Sequence, residues 1–281
     1  MLRTRVLTAV VLLALVAAAA ALSLQALIAL GAVFLAQALA EWLRLSGVRP
    51  LAAYLVAVPA AVAGFALQWL GMAPPPAVLH ALCALASLAW ISIAVGLVLA
   101  QRGPVHVSQP LLIVLAVTLA GVAWLALVAL LQRGAGWTLS VLVLVWLADI
   151  AAYFSGRAFG VRKLASRISP GKTWAGVWGA LAVVVTLAEG ARWLWPQAAL
   201  WSTEMLRAAP AAGVAVLLAL VALSIVGDLF ESLVKRQAGV KDSGTVLPGH
   251  GGVWDRIDAT LPVLPLAVLA QWVVLRGGWL G

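Results

Sequence analysis

The 281-residue sequence predicts an all-α, polytopic membrane protein of about nine transmembrane helices, with its N-terminus cytoplasmic and its C-terminus on the opposite side. Three observations predict it. Hydrophobic residues make up 65% of the chain and charged residues 10%, with a mean hydropathy of +1.11, against roughly 45–50% apolar and about 25% charged in a soluble domain. Apolar runs recur at the length that about 20 residues need to cross a hydrocarbon core of roughly 30 Å. Segments of alternating polarity, which would build a membrane barrel, are missing, so the spans are read as helices.

The first element, MLRTRVLTAVVLLALVAAAAALSLQ, has the positive start, apolar core and small residues of a signal peptide. Apolarity then continues through Ala26 to Ala40 with no polar start of a mature protein, so a retained span followed closely by a second is expected. Nine segments result, at 6–23, 26–43, 51–71, 77–100, 110–132, 137–155, 173–195, 209–231 and 260–279. GMAPPP at 71–76 and RGAG at 133–136 supply turn chemistry between antiparallel helices. With Arg3 and Arg5 inside, the same side receives Arg44, Arg49 and Arg102, then every basic residue of the two long polar stretches. That is fourteen of the eighteen basic residues, and only Arg133, Arg192, Arg207 and Arg276 fall outside. The asymmetry predicts the sidedness and an inner (cytoplasmic) membrane location.

The chain divides into five N-terminal spans (1–135) and a C-terminal region (136–281) of four spans with two cytoplasmic polar loops, 156–172 and 232–259. The net charge of +9 forms no extended basic stripe, so no nucleic acid partner is expected. The single cysteine, Cys83, lies inside an apolar segment and excludes a disulfide framework or a thiolate metal site within one chain. His80 and His106 read as interfacial residues, and Glu189 with Arg192 as an intrahelical pair.

Three carboxylates sit in or at the inner ends of apolar helices: Asp149, Asp228 and, one turn on and closer to water, Glu231. An ionised carboxylate at membrane depth costs on the order of 2.5–3.5 kcal/mol on insertion scales, so each calls for a partner. Asp149 and Tyr153 share a helix face, as do Asp228, Glu231 and Ser232. Asp255 and Asp258 follow His250, Gly251 and Gly252, whose glycines let the chain approach a ligand closely. Hard oxygen ligands of this kind suit Mg²⁺ bridging to phosphates. Zinc fits poorly, because His250 has no second histidine near it. Around these acids lie Lys235, Arg236 and Lys241 in one loop and Arg157, Arg162, Lys163, Arg167 and Lys172 in the other, donors suited to phosphate oxygens. Ser169 to Thr173 is expected to open the seventh span, aiming backbone N–H groups at the same surface. The combination reads as a metal-assisted phosphate site.

Ser232-x-x-Lys235-Arg236, Lys241-Asp242-Ser243-Gly244, Leu247-Pro248, His250-Gly251-Gly252 and Asp255-Arg256-Ile257-Asp258 together resemble the signature of the phosphatidate cytidylyltransferases, the CDP-diacylglycerol synthases. Gly227 to Ser232 resembles the lead-in to that signature. Asp149-x-x-Ala152-Tyr153-x-x-Gly156-Arg157 with Ser169-Pro170-x-Lys172-Thr173 resembles the family's second polar region, with Gly171 where a basic residue is common. The resemblance covers the C-terminal half; the first five spans match only in hydropathy and in the MLRTR start.

The resemblance implies that CTP and phosphatidate give CDP-diacylglycerol and pyrophosphate with Mg²⁺, leaving open a second metal, a monovalent cation and a homodimer. It implies Asp228 and Asp255 as metal ligands, with Asp149 and Asp258 as further candidates. Lys235, Arg236, Lys241 and Lys172 would hold the triphosphate or the lipid phosphate, and Asp242 and His250 would orient those donors or the base. Ser169, Tyr153, Arg157, Gly251, Gly252 and Arg256 complete the substrate-binding set. Two rivals stand beside this reading: a CTP-dependent enzyme acting on a polyprenol or another lipid phosphate, and a cation-coupled transporter.

Overall fold

The computed structural model describes residues 2–275 except 102 and 104, without the side chains of residues 2, 3 and 5. Arg102 and Arg276, which enter the expected sidedness, therefore lie outside the described residues, as do the side chains of Arg3 and Arg5 and the end of the ninth predicted segment. Along the chain run α1 (Leu2–Leu22), α2 (Leu24–Leu45), α3 (Pro50–Trp69), α4 (Pro76–Ala100), α5 (Gln109–Arg133) and α6 (Ala135–Phe159). A hairpin of β1 (Lys163–Ala165) and β2 (Ser169–Thr173) follows. Then come α7 (Trp174–Leu194), α8 (Trp201–Ala208), α9 (Pro210–Gln237), α10 (Trp254–Ile257) and α11 (Thr260–Leu275).

Among the described residues eight segments are long and apolar enough to cross a membrane: α2 to α7, α9, and Trp254–Leu275 taken together. The apolar part of α1, Val6–Leu22, is shorter. Each of the nine predicted segments coincides with a helix. Prolines open α3, α4 and α9 and stand near the start of α5, positions where their missing N–H has no partner to lose.

Two local expectations change. The expected loop start at Ser232 is helical, because α9 continues to Gln237 and carries Ser232, Lys235 and Arg236 on its last two turns. The helix stops in a Schellman arrangement: Gly239, at φ 73°, donates to the Arg236 carbonyl and Val240 to that of Lys235. Ser169 to Thr173 is strand β2, antiparallel to β1, and only Thr173 serves α7, accepting from the Gly176 N–H at 3.2 Å. The expectation that Ser169 opens the seventh span is thereby corrected. Pairing in so short and polar a hairpin leaves no hydropathy signal.

The interior is built around α11, which packs against α4, α5 and α9. Beside it, aromatic rings join the helices that bear the polar residues. Trp42 of α2 stacks on Trp254 of α10 at 4.6 Å between centroids, and Phe230 of α9 meets Trp42 and Trp90 edge-on. Such contacts add about 0.5–1.5 kcal/mol per pair beyond burial, and here Trp42, Phe230 and Trp254 directly adjoin Glu41, Glu231 and Asp255 in the chain. At the far end α8 caps the bundle, with Glu204 3.5 Å from Arg133. Glu189 and Arg192 form their expected pair at 2.8 Å.

Candidate active site

A polar cavity of about 840 Å³ opens between α6, the hairpin, the start of α7, the end of α9 and α10. The spacing along α9 makes it acidic and basic at once. Asp228, Glu231, Ser232 and Lys235 follow at steps of three, one and three residues, which keeps them on one helical face. Asp228, Glu231 and Asp258 bring carboxylate oxygens within 4.8 Å of one another.

Each member of this trio has a different second partner. Asp228 pairs with Lys172 of β2 at 2.5 Å and accepts weakly from the Ser232 hydroxyl at 3.4 Å. Asp258 is buried and accepts from the Ala259 N–H at 2.8 Å. Glu231, expected near water, is buried at 1% exposure because α9 continues past it; one oxygen meets Lys235 at 2.6 Å. Its other oxygen, Oε1, is buried with no hydrogen-bond partner. An orphaned carboxylate oxygen beside two more hard oxygen donors is the donor set that a Mg²⁺-type cation takes, so these residues fit a divalent metal.

Asp255 stands outside the trio. Its Oδ1 meets Lys235 at 2.6 Å, while its Oδ2 accepts from the N–H groups of Ser243 and Gly252, both at 2.8 Å, and contacts the Ser243 hydroxyl at 3.0 Å. Lys235 therefore bridges Glu231 and Asp255 and joins α9 to α10.

Asp149 and Tyr153 of α6, with Arg157, Arg236, Lys241, Asp242 and Arg256, line the same cavity. The Arg157 guanidinium donates to the Tyr153 hydroxyl at 3.1 Å, and Asp149 lies in the field of Asp228, Lys172 and Arg256. Ser169, His250, Gly251 and Gly252 are outside the lining. His250 has a buried Nδ1 without a partner, and Gly251, at φ 84°, closes the turn in which its carbonyl accepts from the Leu247 N–H. Gly171 borders the cavity with open space where a side chain would stand.

The sequence pattern of the cytidylyltransferase family matches residues 3–274. The chain belongs to that family. Among curated relatives, the phosphatidate cytidylyltransferase of Pseudomonas aeruginosa is 45% identical over 159 residues, 56% of this chain and 55% of that protein. The one from Haemophilus influenzae is 45% identical over 138 residues, 49% of this chain and 46% of that protein. The one from Brucella melitensis biotype 1 is 48% identical over 126 residues, 44% of this chain and 43% of that protein. The alignments thus span about half the length of these relatives.

In this member of the cytidylyltransferase family the cavity rests on a residue outside the recognised motifs. Glu41 of α2 is fully buried. Its Oε1 accepts from Gln37 Nε2 at 2.9 Å and the Val253 N–H at 3.1 Å, and its Oε2 from the Ser243 hydroxyl at 2.9 Å and the Trp254 N–H at 2.8 Å. A side chain on Gly252 would collide with Glu41 and Ser243, and one on Gly244 would come within 2.7 Å of Glu41. Two of the signature's small residues are thereby explained by the approach of this carboxylate. Glu41 lies within the second predicted segment, so the cost of placing a carboxylate there was the available signal.

Proposed function

We propose that the protein transfers a cytidylyl group from CTP to phosphatidate, giving CDP-diacylglycerol and pyrophosphate. The observation that carries this reading is the polar cavity at one end of membrane-spanning helices, where three convergent carboxylates sit among lysines and arginines. Both substrates are polyanions, and a charged cavity at the end of apolar helices suits one soluble and one membrane-borne reactant. Family membership and the names of the half-length relatives support the same substrates.

An anionic phosphate oxygen of phosphatidate attacks the α-phosphorus of CTP; a new P–O bond forms as the bond to the β-phosphate breaks, and pyrophosphate leaves. The nucleophile is already ionised, so positioning and charge stabilisation carry the chemistry. Asp228, Glu231 and Asp258 would hold the Mg²⁺, with Asp149 facing them. Bound there, the cation would neutralise charge on the triphosphate and on the departing pyrophosphate. Lys172, Arg157, Arg236 and Lys241 grip phosphate oxygens. Asp255, its oxygens engaged by Lys235, Ser243 and Gly252, takes a positioning role in place of the ligand role that the resemblance implied. Lys235 likewise holds two carboxylates, and Asp242 orients the neighbouring donors.

The proposed setting is an inner (cytoplasmic) membrane, with α1 as a ninth span, the N-terminus and the cavity on the cytoplasmic side, and the C-terminus opposite. The four C-terminal spans carry the cavity, and the five N-terminal spans support it through Glu41. Incubating the detergent-purified protein with labelled CTP and either phosphatidate or polyprenyl phosphate tests the acceptor. Label in CDP-diacylglycerol with pyrophosphate release is expected; label only on the polyprenyl acceptor, or none on either, would contradict the reading.

A further inference from the structure

A second cavity, of about 410 Å³, lies against the polar one, and apart from two threonines and Arg256 its walls are apolar or glycine. Helix α6 serves both cavities with a single stripe. Leu139, Leu142 and Trp146 face the apolar cavity, and the same three-and-four spacing continues to Asp149, Tyr153 and Gly156 in the polar one. Less than one helical turn separates Trp146 from Asp149. Arg256 lines both cavities, so a cationic donor stands where they meet.

The outer wall is α1, through Leu12, Val16 and Ala20 at four-residue spacing. Its N-terminal turns are tied to the signature loop: the Thr8 hydroxyl donates to the Pro248 carbonyl at 2.8 Å, next to Leu247, which also lines the groove. Along α6 the groove extends from Ala135 to Trp146, about 16 Å at 1.5 Å per residue. That is roughly half of a 30 Å hydrocarbon core, the depth of one leaflet and the reach of one fatty acyl chain.

We propose that this groove holds one acyl chain of the lipid phosphate acceptor, with Arg256 at the junction between the chain and its headgroup. The inference rests on the reading of the polar cavity as the site of transfer to a lipid phosphate, and it assigns α1, α2, α5 and the outer half of α6 to substrate selection. In a membrane the chain gains little from leaving other lipid tails. The groove's contribution is therefore alignment: a chain of full length seated along α6 fixes the depth at which the phosphate meets Asp228 and Lys172.

The test compares rates with CTP on dioleoyl and dioctanoyl phosphatidate in mixed micelles, for the wild type and Leu139→Trp, whose indole would fill the far part of the groove. The long-chain to short-chain rate ratio is expected to fall about tenfold, the scale on which pockets discriminate chain length. An unchanged ratio in the folded variant would overturn the proposal. A second measurement does not need turnover: quenching of Trp146, isolated as the difference from Trp146→Phe, by phosphatidate or phosphatidylcholine brominated on the acyl chain. Stronger quenching by phosphatidate at equal mole fraction supports the groove, and equal quenching by both lipids overturns it as a substrate site. Selective quenching without CTP-dependent product from either chain length would retain the groove and remove the cytidylyl reading.

Discussion

Glu41 accepts four hydrogen bonds from neutral donors, and no cation is among its partners in the described residues. Two of those donors are backbone N–H groups at the start of α10, so the carboxylate fixes where Asp255 emerges. Glu41→Ala would strand several buried donors, each at a cost of about 1–3 kcal/mol. We expect a lower unfolding midpoint in detergent and a large loss of turnover. Glu41→Gln keeps the shape but presents an NH₂ to groups that are themselves donors, and it should fall between the two. An Ala variant with wild-type midpoint and rate would remove Glu41 from the scaffold. The cost of a carboxylate in the second segment was a signal, but its role was illegible in the sequence because its loop partners lie more than two hundred residues away. Glu231 was legible as a candidate, but its burial depended on how far α9 runs.

At the level of elements, the loop from Ser243 to Trp254 is shaped by close approach. Gly252 sits where a methyl group would meet Glu41 and Ser243. Gly252→Ala should therefore force the loop off Asp255 and lower kcat by about two orders of magnitude, the scale of a 1 Å misplacement at a reacting centre. The effect should appear mainly in kcat, and wild-type kinetics in the purified variant would contradict it. Among the described residues, hydropathy located α1 to α7, α9 and α11 to within a few residues, apart from the longer C-terminal end of α9. The β1–β2 hairpin escaped because its strands are only three and five residues long, too short for an alternation to betray them. Its consequence is functional: as a strand, β2 brings Lys172 to 2.5 Å from Asp228.

For the whole molecule, the basic residues predict which face carries the site. Ser166, between β1 and β2, and Ala208, at the end of α8, are both exposed and lie near opposite ends of α7. Cys83 is fully buried and can be replaced by Ala without disturbing a surface. In that background an impermeant maleimide should label Ser166→Cys only from the cytoplasmic side and Ala208→Cys only from the other. The reverse pattern would invert the proposed topology and separate the cavity from cytosolic CTP. The acids and bases of the cavity were legible residue by residue from their cost at membrane depth and from the motifs. Their division of labour was not, because Asp255 and Asp258 are three residues apart and only the fold directs one to Lys235 and the other to Asp228 and Glu231.

The central claim is metal-assisted transfer from CTP to a lipid phosphate at the carboxylate trio. Its most direct test is CDP-diacylglycerol formation by purified wild type and Asp228→Asn, titrated with Mg²⁺ in the presence of CTP and phosphatidate. The account predicts product only with the metal, and a loss of at least about a hundredfold in the variant, which still inserts and purifies normally. Metal-independent product, or an Asp228→Asn protein as active as the wild type, would contradict it.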